Sequence, residues 1–190
     1  MLKQSPSQTV GPFFHDGWFV GGENDLVTER TRGERIIIRG RVLDGDGQPV
    51  PDAVIEIWQA DADGYFNHPA DPNQEKADKN FRGFGRADTV HEGKFWFKTI
   101  KPGRVPGRDG KPQAPHISVR VFARGMLIHA LTRLYFSGED FNADDSVLNS
   151  IADAHRRRTL IATREESNDP PIYRFDIHLQ GAGETVFFEP

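Results

Sequence analysis

His116 lies in a segment in which the spacing of residues is typical of a metal site, but in which other side chains occupy the remaining ligand positions. His116 occurs in the order Ala114-Pro115-His116-Ile117-Ser118. Side chains alternate between the two faces of a strand, so a His-x-His pair presents both imidazoles to one ion. Ser118 takes the second position, and Val105 stands in the upstream Pro-Gly-x-x-Pro turn where a coordinating side chain would be. One imidazole does not hold an ion, so the segment indicates a metal site that has lost most of its ligands.

The amino-acid composition and the missing motifs argue against several kinds of catalytic and metal-binding site. The 190 residues include no Cys, which excludes disulfides, zinc-thiolate sites and thiol nucleophiles. The chain has no Gly-x-Ser-x-Gly nucleophile elbow, which argues against a serine hydrolase. Asp61-Ala62-Asp63-Gly64 is similar to the start of a calcium loop, but the later ligand positions do not follow. Any metal in this chain must be bound by His, Tyr, Asp or Glu.

Arg133 is the charged side chain whose placement is most informative. In the run Leu131 to Phe136, alternation puts Leu131, Arg133 and Tyr135 on one face. A guanidinium within so apolar a strand either lies at an exposed edge or binds an anion. That anion is a partner carboxylate or a ligand. We expect Tyr135 itself to lie in the core with its hydroxyl hydrogen-bonded.

The elements that must position these residues are mainly strands. β-branched, alternating runs predict strands at 34–43, 49–59, 94–100, 116–123, 127–136, 158–162, 172–179 and 185–188. One short helix is predicted over Ala143–Ala154, entered from an acidic segment. Long excursions are expected at 61–93 and 101–115. The pattern predicts a mainly β single domain over 1–190, built as a β-sandwich.

Residues 1–34 lack a sustained period and predict an extended N-terminal arm. The arm contains Phe13, Phe14, Trp18 and Phe19. Four large apolar side chains are too much surface to leave in water. We expect the arm to pack on a partner chain.

Charge and hydropathy exclude two classes of partner. The net charge is −4 and the basic residues are dispersed, so the electrostatic footprint of nucleic-acid binding is missing. The sequence has no apolar run of about 18 residues and no charged-then-apolar leader. These features predict a cytoplasmic protein that binds neither nucleic acid nor membrane.

Several short motifs, taken in order, resemble one enzyme family. They are Ser7–Pro12, Gly40–Asp44, Ile55–Asp61, Asn80–Arg86, Thr99–Gly103, Ala114–Ile117, Phe122–Gly125, Thr132–Phe136, Tyr173–Ile177 and Gly183–Phe188. Their order and spacing over nearly the whole chain are similar to the intradiol ring-cleaving dioxygenases, which implies a transthyretin-like β-sandwich. The family's catalytic chains bind Fe(III) through two Tyr and two His.

Carried over residue by residue, the resemblance places the four iron ligands on Phe66, Val105, His116 and Ser118, and an arginine that precedes the paired histidines on Gln113. Three of the four positions therefore lack a good ligand. Tyr65, next to Phe66, would face the opposite side of an extended segment. The resemblance implies a chain with no metal and no catalytic residues of its own, in which Phe66 and Val105 fill the space of the lost ion.

For function, the resemblance implies a subunit of a dioxygenase with a homologous partner, the beta subunit, in a higher oligomer of alpha–beta units. Fe(III) is expected on that partner. In the implied reaction, O2 cleaves the aromatic ring of protocatechuate between the two hydroxyl-bearing carbons, giving 3-carboxy-cis,cis-muconate. Matching pocket-wall positions in this chain are Thr9, Gly11, Pro12 and Arg133. Gly11 and Pro12 would let the backbone approach the ring closely.

Two other readings of the sequence remain. A homo-oligomeric, transthyretin-like binding or structural module would need no catalytic partner. A self-sufficient intradiol enzyme would need the ligands that Phe66, Val105 and Ser118 replace. The arm residues, in turn, are also compatible with plain packing between subunits.

Overall fold

The computed structural model describes residues 9, 11, 17–107, 110–166 and 169–189. Its strands are β1 (Arg35–Leu43), β2 (Val54–Trp58), β3 (Phe84–Asp88), β4 (Lys94–Ile100), β5 (His116–Phe122), β6 (Ala130–Phe136), β7 (Ile161–Arg164), β8 (Ile172–Arg174) and β9 (Ile177–His178). Its α-helices are α1 (Ser146–Ser150) and α2 (Ala154–Arg158), and short 3-10 turns occupy Gln74–Lys76 and Asp140–Asp144. Within these ranges, no helix has both the length and the apolar character needed to cross a bilayer.

The strands form one sheet that folds back on itself. Its order is β3-β2-β5-β6-β7-β8-β1-β4, with β9 paired to β1. The end strands β3 and β4 lie close together, so the sheet is nearly closed. Most neighbours are antiparallel, while β7 runs parallel to β6, and β8 and β9 run parallel to β1. The predicted mainly β class is confirmed.

Alternation decides which side chains face the core. In β1 and β4 the buried residues include Ile36, Ile38, Phe95 and Phe97, and their neighbours along each strand are more exposed. In β5 the buried set is Ile117, Val119 and Val121. These inward faces meet in one apolar core. The period-two patterns that predicted β1, β4 and β5 are therefore explained by one-sided burial.

Several predicted strands end differently in the structure. The 61–93 excursion contains the unpredicted strand β3, which pairs with β2 at the edge of the sheet. The predicted strand 172–179 is split in two, because the Asp176 carboxylate accepts the Arg41 N–H of β1 at 3.0 Å, in place of a backbone carbonyl. The predicted strand 158–162 begins later than expected, because residue 158 belongs to α2. The predicted strand 185–188 is replaced by an isolated bridge between Phe188 and Leu131.

The single helix predicted over Ala143–Ala154 is wrong. Asp145 and Asp153 each adopt an extended conformation and cap a separate short helix. Each carboxylate accepts N–H groups of the first turn that follows it, which satisfies donors that a helix start leaves unpaired. Two caps eight residues apart divide the segment into α1 and α2.

The described part of the N-terminal arm packs on its own chain. Leu26 is buried, and bridges join Asp25 to Lys98 and Val27 to Phe81. The Trp18 ring lies 4.3 Å from the Arg86 guanidinium carbon and 5.5 Å, edge-on, from the Phe122 ring. Phe13 and Phe14 lie outside the described residues. Packing of those two rings on a partner chain stays a prediction.

Asp61 organises the excursion that follows β2. Its carboxylate, 3% exposed, accepts N–H groups of Asp63 and Tyr65 on Oδ1 at 2.9 Å and of Asp78 on Oδ2 at 2.7 Å. A buried carboxylate with several backbone donors is stabilised as an anion. The motif that is similar to a calcium loop is thus a loop held by backbone hydrogen bonds.

Replacing Asp61 by Ala leaves three N–H groups without their acceptor. At about 1–3 kcal/mol for each unsatisfied group, the free energy of unfolding should fall by roughly 3 kcal/mol or more. Urea titration followed by tryptophan fluorescence measures this. The control is Asp63→Ala, which removes a half-exposed carboxylate paired with Arg32 and should cost at most about 1 kcal/mol. Equal losses in both variants would contradict the role of Asp61.

Candidate functional site

The outer face of β2, β5 and β6 carries the residues at the expected site. Ser118 of β5 is paired with Trp58 on one side and with Arg133 on the other. His116, two residues earlier on the same face, is paired with Tyr135. The strand alternation inferred for the 116–118 pattern is therefore present in the fold.

The two loop positions, Phe66 and Val105, join this face through contact between the excursions. The Gly103 N–H donates to the Asp61 carbonyl at 2.8 Å. The Arg104 carbonyl lies 2.1 Å from where a Cβ on Gly64 would be, and Gly64 has a φ of +86°. Only glycine meets both conditions. This close approach brings the loop carrying Val105 against the loop carrying Phe66.

Phe66 lies in an aromatic cluster with Trp58. Their rings are parallel within 7°, with centroids 5.7 Å apart, and His68 meets Trp58 edge-on at 5.6 Å. Phe66 and Val105 line the same depression of about 400 Å³. Tyr65 also borders this depression, and the centroid of its ring lies 5.6 Å from Lys76 Nζ. That Tyr65 faces the side opposite to Phe66 stays a prediction.

His116 is held as a neutral imidazole. Its Nδ1 lies 2.8 Å from the Ala114 carbonyl, which can only accept, so Nδ1 carries the proton. Burial lowers the pKa of His116 to about 4, with the positive charge of Arg133 as a further cause. At neutral pH the ring is uncharged.

The residues present at the four ligand positions do not fit a ferric ion. Phe66 and Val105 have no donor atom, and the Ser118 hydroxyl is a poor ligand at neutral pH. In the part of the chain that the structure describes, no three His, Cys, Asp or Glu side chains are grouped as a metal would need. His116 is the one ligand-type side chain among the four positions.

Arg133 lines a second depression, of about 440 Å³, beside Ser118. Its Nη1 donates to the Tyr135 hydroxyl at 3.2 Å and to Gln113 Oε1 at 3.4 Å. Among the described residues Arg133 makes no ion pair within 4.0 Å with a carboxylate, although Glu189 also lines the depression. The hydrogen-bond partners of the guanidinium among the described residues are therefore neutral.

Gln113 is positioned by Arg104. The Arg104 guanidinium donates to the carbonyls of Pro112 at 2.8 Å and Gln113 at 3.2 Å. It lies 3.8 Å from the centroid of the Phe141 ring. These contacts attach the 101–115 loop to the segment after β6, where a cation over an aromatic face adds to the hydrogen bonds.

Among the arm residues expected in the pocket wall, Thr9 contacts a different part of the chain from Arg133. Thr9 Oγ1 accepts the Gly125 N–H at 2.8 Å, at the turn of the β5–β6 hairpin. A Cβ on Gly11 would meet nothing within 4 Å, and Pro12 lies outside the described residues. Their place in a pocket with Arg133 stays a prediction.

Asp145 is a site residue that the sequence did not reveal. It is fully buried, and its Oδ1 accepts the Tyr135 hydroxyl at 3.2 Å. Only its place ahead of a helical run signalled a capping role. The hydrogen bond to Tyr135 confirms the expectation that this tyrosine is buried with its hydroxyl satisfied.

Comparisons with known proteins agree on one family. A family model described as Dioxygenase matches residues 11–181. The protocatechuate 3,4-dioxygenase alpha chain of Pseudomonas putida is 44% identical over 201 aligned residues, covering 100% of this chain and 98% of that protein. The protocatechuate 3,4-dioxygenase beta chain of Burkholderia cepacia is 35% identical, covering 94% and 77%.

A solved structure shows the same fold. The dioxygenase domain of a dioxygenase carbohydrate-binding protein fusion from Streptomyces sp. SirexAA-E aligns with a TM-score of 0.65 and 25% identity, covering 94% of this chain and 100% of that one. The fold, the family model and the full-length sequence similarity thus indicate the same family. The chain belongs to the intradiol ring-cleaving dioxygenase family.

Proposed function

We propose that this chain is the non-metallated alpha subunit of a protocatechuate 3,4-dioxygenase. It forms an active site with a homologous beta subunit that holds Fe(III), in an oligomer of alpha–beta units. Support comes from the similarity to an alpha chain over the full length and to a beta chain over most of it. The complex cleaves protocatechuate with O2 between the hydroxyl-bearing carbons, giving 3-carboxy-cis,cis-muconate.

In this proposal the work of the chain is binding and orientation. The partner's ferric ion supplies the redox chemistry and the binding of the two hydroxyls. Phe66 and Val105 pack where ligands would be, which suits a wall of the site rather than its centre. The Thr9-to-Pro12 part of the arm would reach the shared pocket once the partner is bound.

The observation that carries the proposal is that Arg133 borders an open depression and has only uncharged hydrogen-bond partners among the described residues. Its guanidinium lines an open depression, and its described hydrogen-bond partners, Tyr135 and Gln113, are both uncharged. An aromatic acid such as protocatechuate carries a carboxylate at neutral pH. A planar guanidinium binds that group with two parallel hydrogen bonds. In this proposal, Arg133 selects a catechol that bears a carboxylate.

Replacing Arg133 by Ala in the assembled complex should lower kcat/KM for protocatechuate, with iron content unchanged. A desolvated anion that loses its partner costs about 2–5 kcal/mol. Catechol has no carboxylate, so its kcat/KM should change little. Lysine should restore activity only in part, because it keeps the charge and loses the planar fork. Steady-state rates with both substrates measure the effect.

Arg120→Ala is the matched control for Arg133→Ala. Arg120 is an exposed cation of the neighbouring strand β5, where it lies opposite Leu131 of β6. Its loss removes the same charge from the same face and should leave the ratio of the two substrates unchanged. An equal loss on both substrates for Arg133→Ala would show that this residue supports the assembly and not the carboxylate.

The chain expressed alone should bind no ferric iron in a phenolate site. Phe66, Val105 and Ser118 provide no tyrosinate and no second imidazole, so the red-brown charge-transfer band of iron–tyrosinate proteins has no source. Metal analysis and a visible spectrum test this, with the assembled complex as the positive control. Stoichiometric iron with such a band in the lone chain would refute the assignment.

Deleting residues 1–16 should weaken association with the iron-bearing partner and lower activity. The deletion removes Phe13 and Phe14, whose burial is worth about 1.5–3 kcal/mol each. It keeps Trp18, which packs on Arg86 of its own sheet. Size-exclusion chromatography at decreasing concentration compares the two assemblies. A truncated chain that assembles and turns over like the full chain would place the arm outside the interface.

The alternative of a homo-oligomeric binding module makes the opposite prediction. Such a chain would purify alone and have no effect on any dioxygenase. Co-purification with a coloured, iron-bearing homologue of similar size decides between the two functions.

A further inference from the structure

The Tyr135 hydroxyl lies between two charged groups. The Arg133 Nη1 and the Asp145 Oδ1 are each 3.2 Å from it. Tyr135 is two residues from Arg133 and shares its face of β6, but its ring is completely buried among Ala114, Leu148 and Leu160. A fully buried ring cannot follow the motions of an exposed side chain. Its hydroxyl is therefore a fixed point next to the guanidinium.

Asp145 fixes the direction of these hydrogen bonds. Its Oδ1 accepts the N–H groups of Val147 at 3.0 Å and Leu148 at 2.9 Å, and its Oδ2 accepts that of Ala114 at 2.8 Å. A carboxylate held by three backbone donors on both oxygens cannot rotate. Because it can only accept, the Tyr135 proton points to Asp145 and a lone pair points to Arg133. Burial raises the pKa of Tyr135, which keeps the hydroxyl protonated.

The same arrangement leaves part of the guanidinium for a ligand. Arginine has five N–H donors. Tyr135 and Gln113 both bind Nη1, while Nε and Nη2 have no hydrogen-bond acceptor among the described residues. A guanidinium anchored at one nitrogen loses less freedom when a carboxylate binds than a free one does.

We infer that Tyr135, held by Asp145, is a positioning residue that orients Arg133 and thereby sets the preference for substrates with a ring carboxylate. The inference rests on the proposed function of Arg133. Tyr135 acts through Arg133 and does not touch the substrate. Gln113 is a weaker second support, at 3.4 Å.

A purely structural role for Tyr135 predicts a different result. In that case the hydroxyl only attaches α1 to the sheet, and its loss lowers the stability of the complex without regard to substrate. An orienting role changes the binding of one class of substrate. The ratio of kcat/KM for protocatechuate to that for catechol therefore separates the two roles.

The test is Tyr135→Phe in the assembled, iron-loaded complex. The variant keeps the buried ring and removes only the hydroxyl. We expect KM for protocatechuate to rise about tenfold, the size of one hydrogen bond to a charged group. We expect kcat, the kinetics with catechol and the iron content to stay close to those of the unaltered complex.

Tyr173→Phe is the matched control. Tyr173 is also buried, in β8, and packs edge-on against Phe136 at a centroid distance of 4.9 Å. The variant removes one phenol hydroxyl that makes no hydrogen bond to Arg133 or Asp145, so the substrate ratio should not change. Thermal unfolding of each variant complex separates loss of stability from loss of orientation.

Arg133→Ala, measured in parallel, separates failure of this inference from failure of the proposed function. Selective loss in both Arg133→Ala and Tyr135→Phe supports the inference. Selective loss in Arg133→Ala alone, or an equal loss on both substrates in Tyr135→Phe, overturns the inference and leaves the proposed function standing. No selectivity in Arg133→Ala overturns the proposed function, and the inference with it.

Discussion

The buried carboxylate of Asp145 joins the parts of the chain that form the site. An ionised group with no exposed surface is costly unless several hydrogen bonds stabilise it, and Asp145 accepts three backbone N–H groups and one hydroxyl. Those donors belong to the start of α1, to Ala114 just before β5 and to Tyr135 in β6. The positions of His116, Gln113 and Arg133 depend on the elements that Asp145 joins. One side chain therefore determines how the outer face of the sheet meets the loop above it.

The positions that the family resemblance assigns to iron ligands are stabilised by packing and hydrogen bonds in this chain. Phe66 stacks on Trp58, and the neutral His116 donates to a backbone carbonyl instead of carrying charge. An ion would have organised these groups through bonds of fixed length. Aromatic stacking and the close approach of Gly64 to the 101–115 loop do so in this chain. These contacts connect the loops through the described side chains and backbone, which supports the proposed division of labour between two homologous subunits.

The sequence predicted what depends on local pattern and missed what depends on tertiary hydrogen bonds. Alternating β-branched runs located β1, β4 and β5, because one-sided burial leaves a period of two. The edge strand β3 includes a glycine and lies in a polar stretch, so it has no such pattern. The helix was predicted too long because nothing local shows that Asp145 and Asp153 leave the helical conformation to cap two separate turns. That Phe66, Val105 and Ser118 are unsuited to bind a metal ion could be predicted from their residue types. The contact between Tyr135 and Asp145, which are ten positions apart in the sequence, could not be predicted in this way.

Asp145 and Arg133 are held apart, which leaves the Arg133 guanidinium without a carboxylate partner among the described residues. The two residues form no direct ion pair, because the Tyr135 hydroxyl stands between them. A carboxylate in direct contact would have used the planar edge of the guanidinium and neutralised it. A carboxylate one hydroxyl away orients the guanidinium and leaves the edge formed by Nε and Nη2 without a partner among the described residues. An arginine that is oriented in this way and still has N–H donors to offer is suited to recognise an anionic group of a substrate in the proposed shared pocket.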